Sequence, residues 1–127
     1  MLSAFPTGGS SIFPNKEFDF TVYTDASGTG GGGYIKERQN SEFSFTWRHE
    51  EASESSTHRE LRAILYFITH SINALENKRI KIYCDNQNVV RIVDKGSMNS
   101  SLQDLAMKFH TLCSKHAISY ITEWIPR

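Results

Sequence analysis

Leu61, Ile64, Leu65, Ile68, Ile72 and Leu75 recur at helical spacing, the strongest amphipathic stripe in the sequence. A helix with one apolar stripe must bury it against another element, and the neighbouring patterns supply a sheet. Before the stripe, Asp19 to Thr24, a strand opening at Gly33-Tyr34-Ile35, and Glu42 to Trp47 read as three strands. In the third, Phe43, Phe45 and Trp47 alternate with Glu42, Ser44 and Thr46. Short connections make these strands antiparallel neighbours, with Gly28 to Gly33 as a tight, flexible link. After the stripe come a strand at Ile80 to Cys84 and a short helix from Asn86 to Val93 that stops near Gly96. Leu102, Leu105, Ala106, Phe109, Leu112 and Cys113 mark another helix, and Ile118 to Trp124 a closing strand. The order predicts an α/β fold: a five-stranded mixed sheet, antiparallel in its first three strands with parallel additions, flanked by helices.

A chain of 127 residues is expected to form one domain with a real core. Residues 1–17 read as a linker, rich in Gly, Ser and Pro, whose Phe5, Ile12 and Phe13 offer docking points; 18–127 read as the domain. No apolar run approaches the roughly 20 residues of a membrane span, and no signal peptide is visible. Cys84 and Cys113 sit in apolar patterns and read as buried free thiols of a reducing compartment, so an intracellular location, cytoplasmic or nuclear, is expected. Fourteen basic and fourteen acidic residues give zero net charge. A protein that grips nucleic acid alone usually carries a basic surplus, so any such binding is expected to be weak by the chain itself or to lean on a larger partner that supplies the grip.

Asp25 ends the first strand and runs into Ala26-Ser27-Gly28; Asp85 ends the Ile80 to Cys84 strand; Glu60 lies at the start of the main helix. Each has a bland reading. Asp25 can open a turn, Asp85 can cap the helix that follows, and Thr57-His58-Arg59-Glu60 fits a capping box. Together they stand at matching ends of elements that one sheet brings together, where open α/β sheets collect ligands. Converging carboxylates repel unless a cation sits between them, and hard oxygen donors suit Mg2+ or Mn2+. The pattern points to a metal-dependent phosphodiester nuclease or a related phosphoryl transferase. The glycine run lacks the Lys-Ser/Thr ending of a phosphate loop. The five histidines have no zinc-site spacing, and His58 reads as a cap or solvated residue. Trp47 and Trp124 read as packing residues.

Tyr23-Thr24-Asp25-Ala26-Ser27, Ser56-Thr57-His58-Arg59-Glu60-Leu61, Tyr83-Cys84-Asp85-Asn86-Gln87 and Glu123-Trp124-Ile125-Pro126-Arg127, in that order and spacing, resemble the ribonuclease H domain of retroelement reverse transcriptases. The likeness runs from about Phe18 to Arg127 and is nearest in flavour to tyrosine-recombinase-type retrotransposons. It implies an RNase H-like fold that cleaves the RNA strand of an RNA–DNA hybrid by two-metal hydrolysis with Mg2+, or Mn2+ in its place. It implies Asp25, Glu60 and Asp85 as catalytic, metal-holding residues, with Asp25 bridging the ions. Ser27, Gly28, Asn86 and Gln87 are then expected at the substrate. The implied partners are the hybrid and the polymerase domain of the same polyprotein. The family carries a fourth carboxylate, an Asp in a helix after the segment like Trp124-Ile125-Pro126-Arg127, and many members a His just before that helix. This sequence ends at Arg127 without either, so the resemblance implies a domain cut short of its last helix, with one metal ligand missing. The basic insertion of bacterial-type relatives is absent, and only Lys95 to Ser100 occupies its place, as the resemblance implies for retroviral-type domains. Two rivals remain: a non-catalytic scaffold or protein-interaction module of the same fold, and an integrase- or resolvase-type nuclease.

Overall fold

The computed structural model describes residues 18–125. The expected linker over 1–17, with Phe5, Ile12 and Phe13, lies outside the described residues, as do Pro126 and Arg127.

Three strands open the fold: β1 (Phe20–Ala26), β2 (Gly30–Ile35) and β3 (Phe43–Thr46). Helices α1 (His49–Ala52), α2 (Ser56–His70) and α3 (Ile72–Leu75) follow, then β4 (Arg79–Cys84), α4 (Gln87–Lys95), α5 (Ser100–Lys115) and β5 (Ser119–Trp124). The sheet order is β3-β2-β1-β4-β5. β2 pairs antiparallel with both β1 and β3, whereas β4 pairs parallel with both β1 and β5. The mixed five-stranded sheet expected from the sequence is therefore the one that forms. No helix among the described residues is long and apolar enough to cross a membrane.

Alternation decides the faces. Val22 and Thr24 of β1 and Ile80, Ile82 and Cys84 of β4 point to the side that the helices cover. There α2 lies over β1 and β2, α5 packs against α2, and α4 packs on β4 and β5. Phe67 and Phe109, both fully buried, fill the middle of this layer. Tyr34, Tyr23 and Tyr83 line up on the opposite face, with ring centroids 5.1 and 5.2 Å apart.

The structure departs from the sequence expectations in four places. The strand expected to open at Gly33 begins at Gly30; Gly31, Gly32 and Gly33 pair with both β1 and β3, and Gly30 with β3. Close packing explains it: a Cβ on Gly33 would stand 3.1 Å from the Phe67 ring, and one on Gly31 would stand 3.3 Å from Ala63 Cβ. Glycine has poor strand propensity, yet it lets α2 sit directly on β2. A short helix, α1, precedes the main one; Glu51 at its end is buried, bonded to Tyr66 and paired with Arg48. The apolar stripe breaks at Ser71 into α2 and α3. Within the stripe Leu61, Ile64 and Ile68 are fully buried while Leu65 is only partly so, and Phe67 and Ala63 complete the core face in its stead. Finally, the N-cap of α2 is Ser55, whose Oγ accepts from the His58 backbone N–H at 3.3 Å. The expected box between Thr57 and Glu60 does not form, and Glu60 falls in the second turn.

Gly96, with φ of 84°, ends α4 as expected. α5 ends in a Schellman arrangement: Ile118 N donates to Cys113 O at 2.8 Å and Ala117 N to Ser114 O at 3.3 Å. Its left-handed position is held by Ala117, φ 56°, where a Cβ costs energy that glycine avoids. Ala117→Gly should therefore stabilise the fold by about 1 kcal/mol in denaturant melts; a loss of stability would show that the Ala117 methyl supplies packing that outweighs the strain.

Candidate active site

β1 and β4 run parallel and in register, with Tyr23 opposite Tyr83. Two residues beyond each tyrosine, on the same face, come Asp25 and Asp85. Adjacent strands lie about 4.8 Å apart, so these two carboxylates issue from neighbouring strand ends at the same level. Glu60 descends from α2 onto the same edge and is 6% exposed. One carboxylate oxygen each from Glu60 and Asp85, together with Cys84 Sγ, lie within 4.8 Å of one another.

The structure thus unites Glu60 with Asp85 and sets Asp25 outside that closest group. Asp25 Oδ1 accepts from the Ala26 backbone N–H at 2.9 Å, the turn role that its sequence position allows. Asp85 joins the two halves: it lines one cavity with Asp25 and a second with Glu60. All three acids act on Cys84, whose thiol is pushed up to about 12, first by burial and then by the negative charge of Glu60, Asp85 and Asp25. Cys84 is therefore a neutral thiol at pH 7, and the acids around it are hard oxygen donors. That donor set fits a hard divalent cation, with Asp25, Glu60 and Asp85 as the residues to hold it.

The expected substrate residues divide by role. Ser27 Oγ bonds within the β1–β2 turn, to Thr29 Oγ1 at 3.2 Å and Gly30 O at 3.1 Å, and Ser27 lines the Asp25 cavity. Gly28 is at the turn tip with nothing within 4 Å of an added Cβ. Asn86 caps α4, its Oδ1 accepting from Asn88 N at 2.9 Å and Val89 N at 3.2 Å, and lines the Glu60 cavity beside the exposed Gln87. Trp47 packs as expected and donates from Nε1 to Ser27 O at 2.7 Å, anchoring the turn after Asp25. Trp124 departs from the packing role: it is 44% exposed and lines the Glu60 cavity with Arg59 and Ser56. The sequence placed Arg59 and Trp124 within short motifs but held no sign that they share a cavity. Cys84 was equally hidden, since only tertiary packing brings its sulfur to Glu60.

α2 is held firmly where it carries Glu60. His58 Nδ1 meets Ser55 Oγ at 2.7 Å and Nε2 meets Ser101 Oγ at 3.1 Å, tying the start of α2 to the start of α5. Arg62 bonds both oxygens of Glu54, at 2.6 and 3.0 Å, and holds that carboxyl below the usual carboxylate range.

The family described as the RNase H-like domain found in reverse transcriptase matches residues 15–112. Curated proteins contain no match. Similar solved structures include ribonuclease H1 of the halophilic archaeon Halobacterium salinarum, 13% identical with a TM-score of 0.68, covering 85% of this chain and 86% of that chain. LC11 ribonuclease H1, in complex with an RNA/DNA hybrid, is 15% identical with a TM-score of 0.71, covering 86% of each. Prototype foamy virus protease–reverse transcriptase is 10% identical with a TM-score of 0.60, covering 87% of this chain and 16% of that one. At these identities the likeness is one of fold.

Crowded carboxylates repel when no cation is bound. Asp85→Asn should raise the melting temperature in EDTA by about 2–5 °C and remove the further rise that Mn2+ gives the wild type. A lower melting temperature in EDTA would mean that Asp85 serves the fold, not a cation.

Proposed function

The chain belongs to the family of RNase H-like domains found in reverse transcriptase, and from that premise we propose that it hydrolyses the RNA strand of RNA–DNA hybrids during reverse transcription. The observation that carries the proposal is the level alignment of Asp25 and Asp85 on paired parallel strands, with Glu60 brought down beside Asp85.

In this reading Asp25, Glu60 and Asp85 hold Mg2+, with Mn2+ as a substitute. Bound divalent ions lower the pKa of water and neutralise charge that builds on the phosphate, and a pair of ions serves attacking and leaving oxygens at once. The chain's own residues set the geometry. Asp25 reaches the site from β1, Asp85 from β4 and Glu60 from α2, so one carboxylate can be shared between neighbouring positions. Cys84, buried and neutral beneath them, keeps water and a further charge out of that corner. Ser27 and Gly28 on one side, and Asn86, Gln87 and Trp124 on the other, flank the acids where a nucleic-acid backbone would lie. Zero net charge supports a reading in which the polymerase domain of the same polyprotein supplies most of the grip on the hybrid.

The experiment is cleavage of a labelled RNA–DNA hybrid, beside duplex DNA of the same sequence, in Mg2+ and in Mn2+. The hybrid should be cut in its RNA strand and the duplex left whole. Asp25→Asn and Glu60→Gln should each lower the rate by about 100-fold or more. Equal cutting of duplex DNA would favour an integrase- or resolvase-type nuclease. Hybrid left intact, with the polymerase domain present as well, would favour the scaffold reading.

A further inference from the structure

The sheet has two faces, and α2, α4 and α5 lie on one of them. Lys81 and Tyr83 of β4 and Glu123 of β5 point to the other face, and Tyr23 and Tyr34 carry the Tyr83 row across β1 and β2. Ring centroids are 5.2 Å apart from Tyr83 to Tyr23 and 5.1 Å from Tyr23 to Tyr34, and Tyr34 is 41% exposed. A cavity of about 780 Å³ runs along these rings and reaches Asp25, Asp85 and Ile125. Antiparallel sheets tolerate one wet face, but parallel strands occur almost only with both faces covered. β1, β4 and β5 are parallel to one another, so this face calls for a cover.

The entry into β1 shows which segment can supply it. Lys81 is 9% exposed although it points away from the helices. Its ammonium lies 5.8 Å from the Phe18 ring centroid, 5.5 Å from that of Tyr83 and 3.6 Å from a Glu123 carboxylate oxygen. Phe18 is thus on the uncovered side, and the chain enters β1 from there. Residues 1–17 carry only two charged side chains, Lys16 and Glu17, beside the apolar Leu2, Phe5, Ile12 and Phe13. Phe13 precedes Phe18 by five residues, a reach of up to about 17 Å. The path from Lys81 to Tyr34 crosses two strand spacings and two residues along the strand, about 12 Å. The length suffices. A second copy is the competing cover, but a tethered segment meets the face at an effective concentration on the order of millimolar, above that of free chains.

We propose that the segment before Phe18 docks on this open face and seats Ile12 and Phe13 against the rings of Tyr23 and Tyr34. Pro14 favours an extended backbone at Phe13, which suits a segment laid along a sheet. The flat rings offer apolar contact, and the tyrosine hydroxyls stay at its rim. The docked segment borders Asp25 through the shared cavity, yet the inference stands or falls apart from hybrid cleavage.

Photo-crosslinking in the full chain tests it. With Tyr34 replaced by p-benzoylphenylalanine, light should join position 34 to residues 5–17 of the same chain, as read by peptide mass spectrometry. Ile12→Asp with Phe13→Asp should cut that yield about tenfold, and Phe13→Leu should keep most of it. Both aspartates lie outside the sheet, so a lost crosslink is not a lost fold. Crosslinks confined to residues 18–125, a crosslink to a second chain, no crosslink, or an equal yield in the double variant would each overturn the proposal. If the labelled chain does not fold, amide spectra decide. The signals of Tyr23 and Tyr34 should move between the wild type and the double aspartate variant, and unmoved signals would overturn the docking.

Discussion

The parallel pairing of β1 with β4 decides where every acid of the site can be. Because the two strands run the same way and Tyr23 faces Tyr83, both strands end at one edge and each carries its aspartate two residues further on. An antiparallel pairing would send Asp25 and Asp85 to opposite ends of the sheet. A slip of one residue would turn one of them to the helical face. The β1–β4 connection needed for a parallel pair passes through α2, and that same crossover delivers Glu60 to the edge. The topology and the site are thus one constraint met once.

The convergence costs energy. Two carboxylates and a thiol meet at the sheet edge, Glu60 and Cys84 buried and Asp85 half-buried, with the exposed Asp25 carboxylate close by. Like charges held this close repel unless a cation sits between them. The fold answers part of the strain by keeping Cys84 neutral, and it resists relaxation by fixing α2 from two directions. His58 bridges Ser55 and Ser101, and Arg62 grips Glu54. These ties hold the start of α2, and Glu60 with it, at the sheet edge.

Much of this was legible in the sequence because it is written in local periods. Alternation at Phe43, Phe45 and Trp47 and the helical stripe through Leu61, Ile64 and Ile68 need no knowledge of partners. The strand-end positions of Asp25 and Asp85 follow from the same patterns. What stayed hidden depends on contacts between elements. Glycine carries no strand signal, and within Gly30 to Gly33 it is the close approach of Ala63 to Gly31 and of Phe67 to Gly33 that leaves no room for a side chain there. Ser55 and Thr57 are equally good caps by type, and the His58 bridge to Ser101 accompanies the choice of Ser55. Trp124 reads as an apolar strand residue, yet it follows β5 to the sheet edge and opens onto the Glu60 cavity. The nearness of Cys84 to Glu60 is invisible in a sequence that separates them by a helix and a strand.

The central claim is that Asp25, Glu60 and Asp85 are one cation site assembled by the β1–β4 register. The most direct measurement is the anomalous diffraction of manganese in crystals grown with Mn2+. The account predicts a strong peak at the shared end of β1 and β4, in contact with Asp85 and with at least one of Asp25 and Glu60. Manganese bound elsewhere, with that edge vacant at saturating Mn2+, would contradict it.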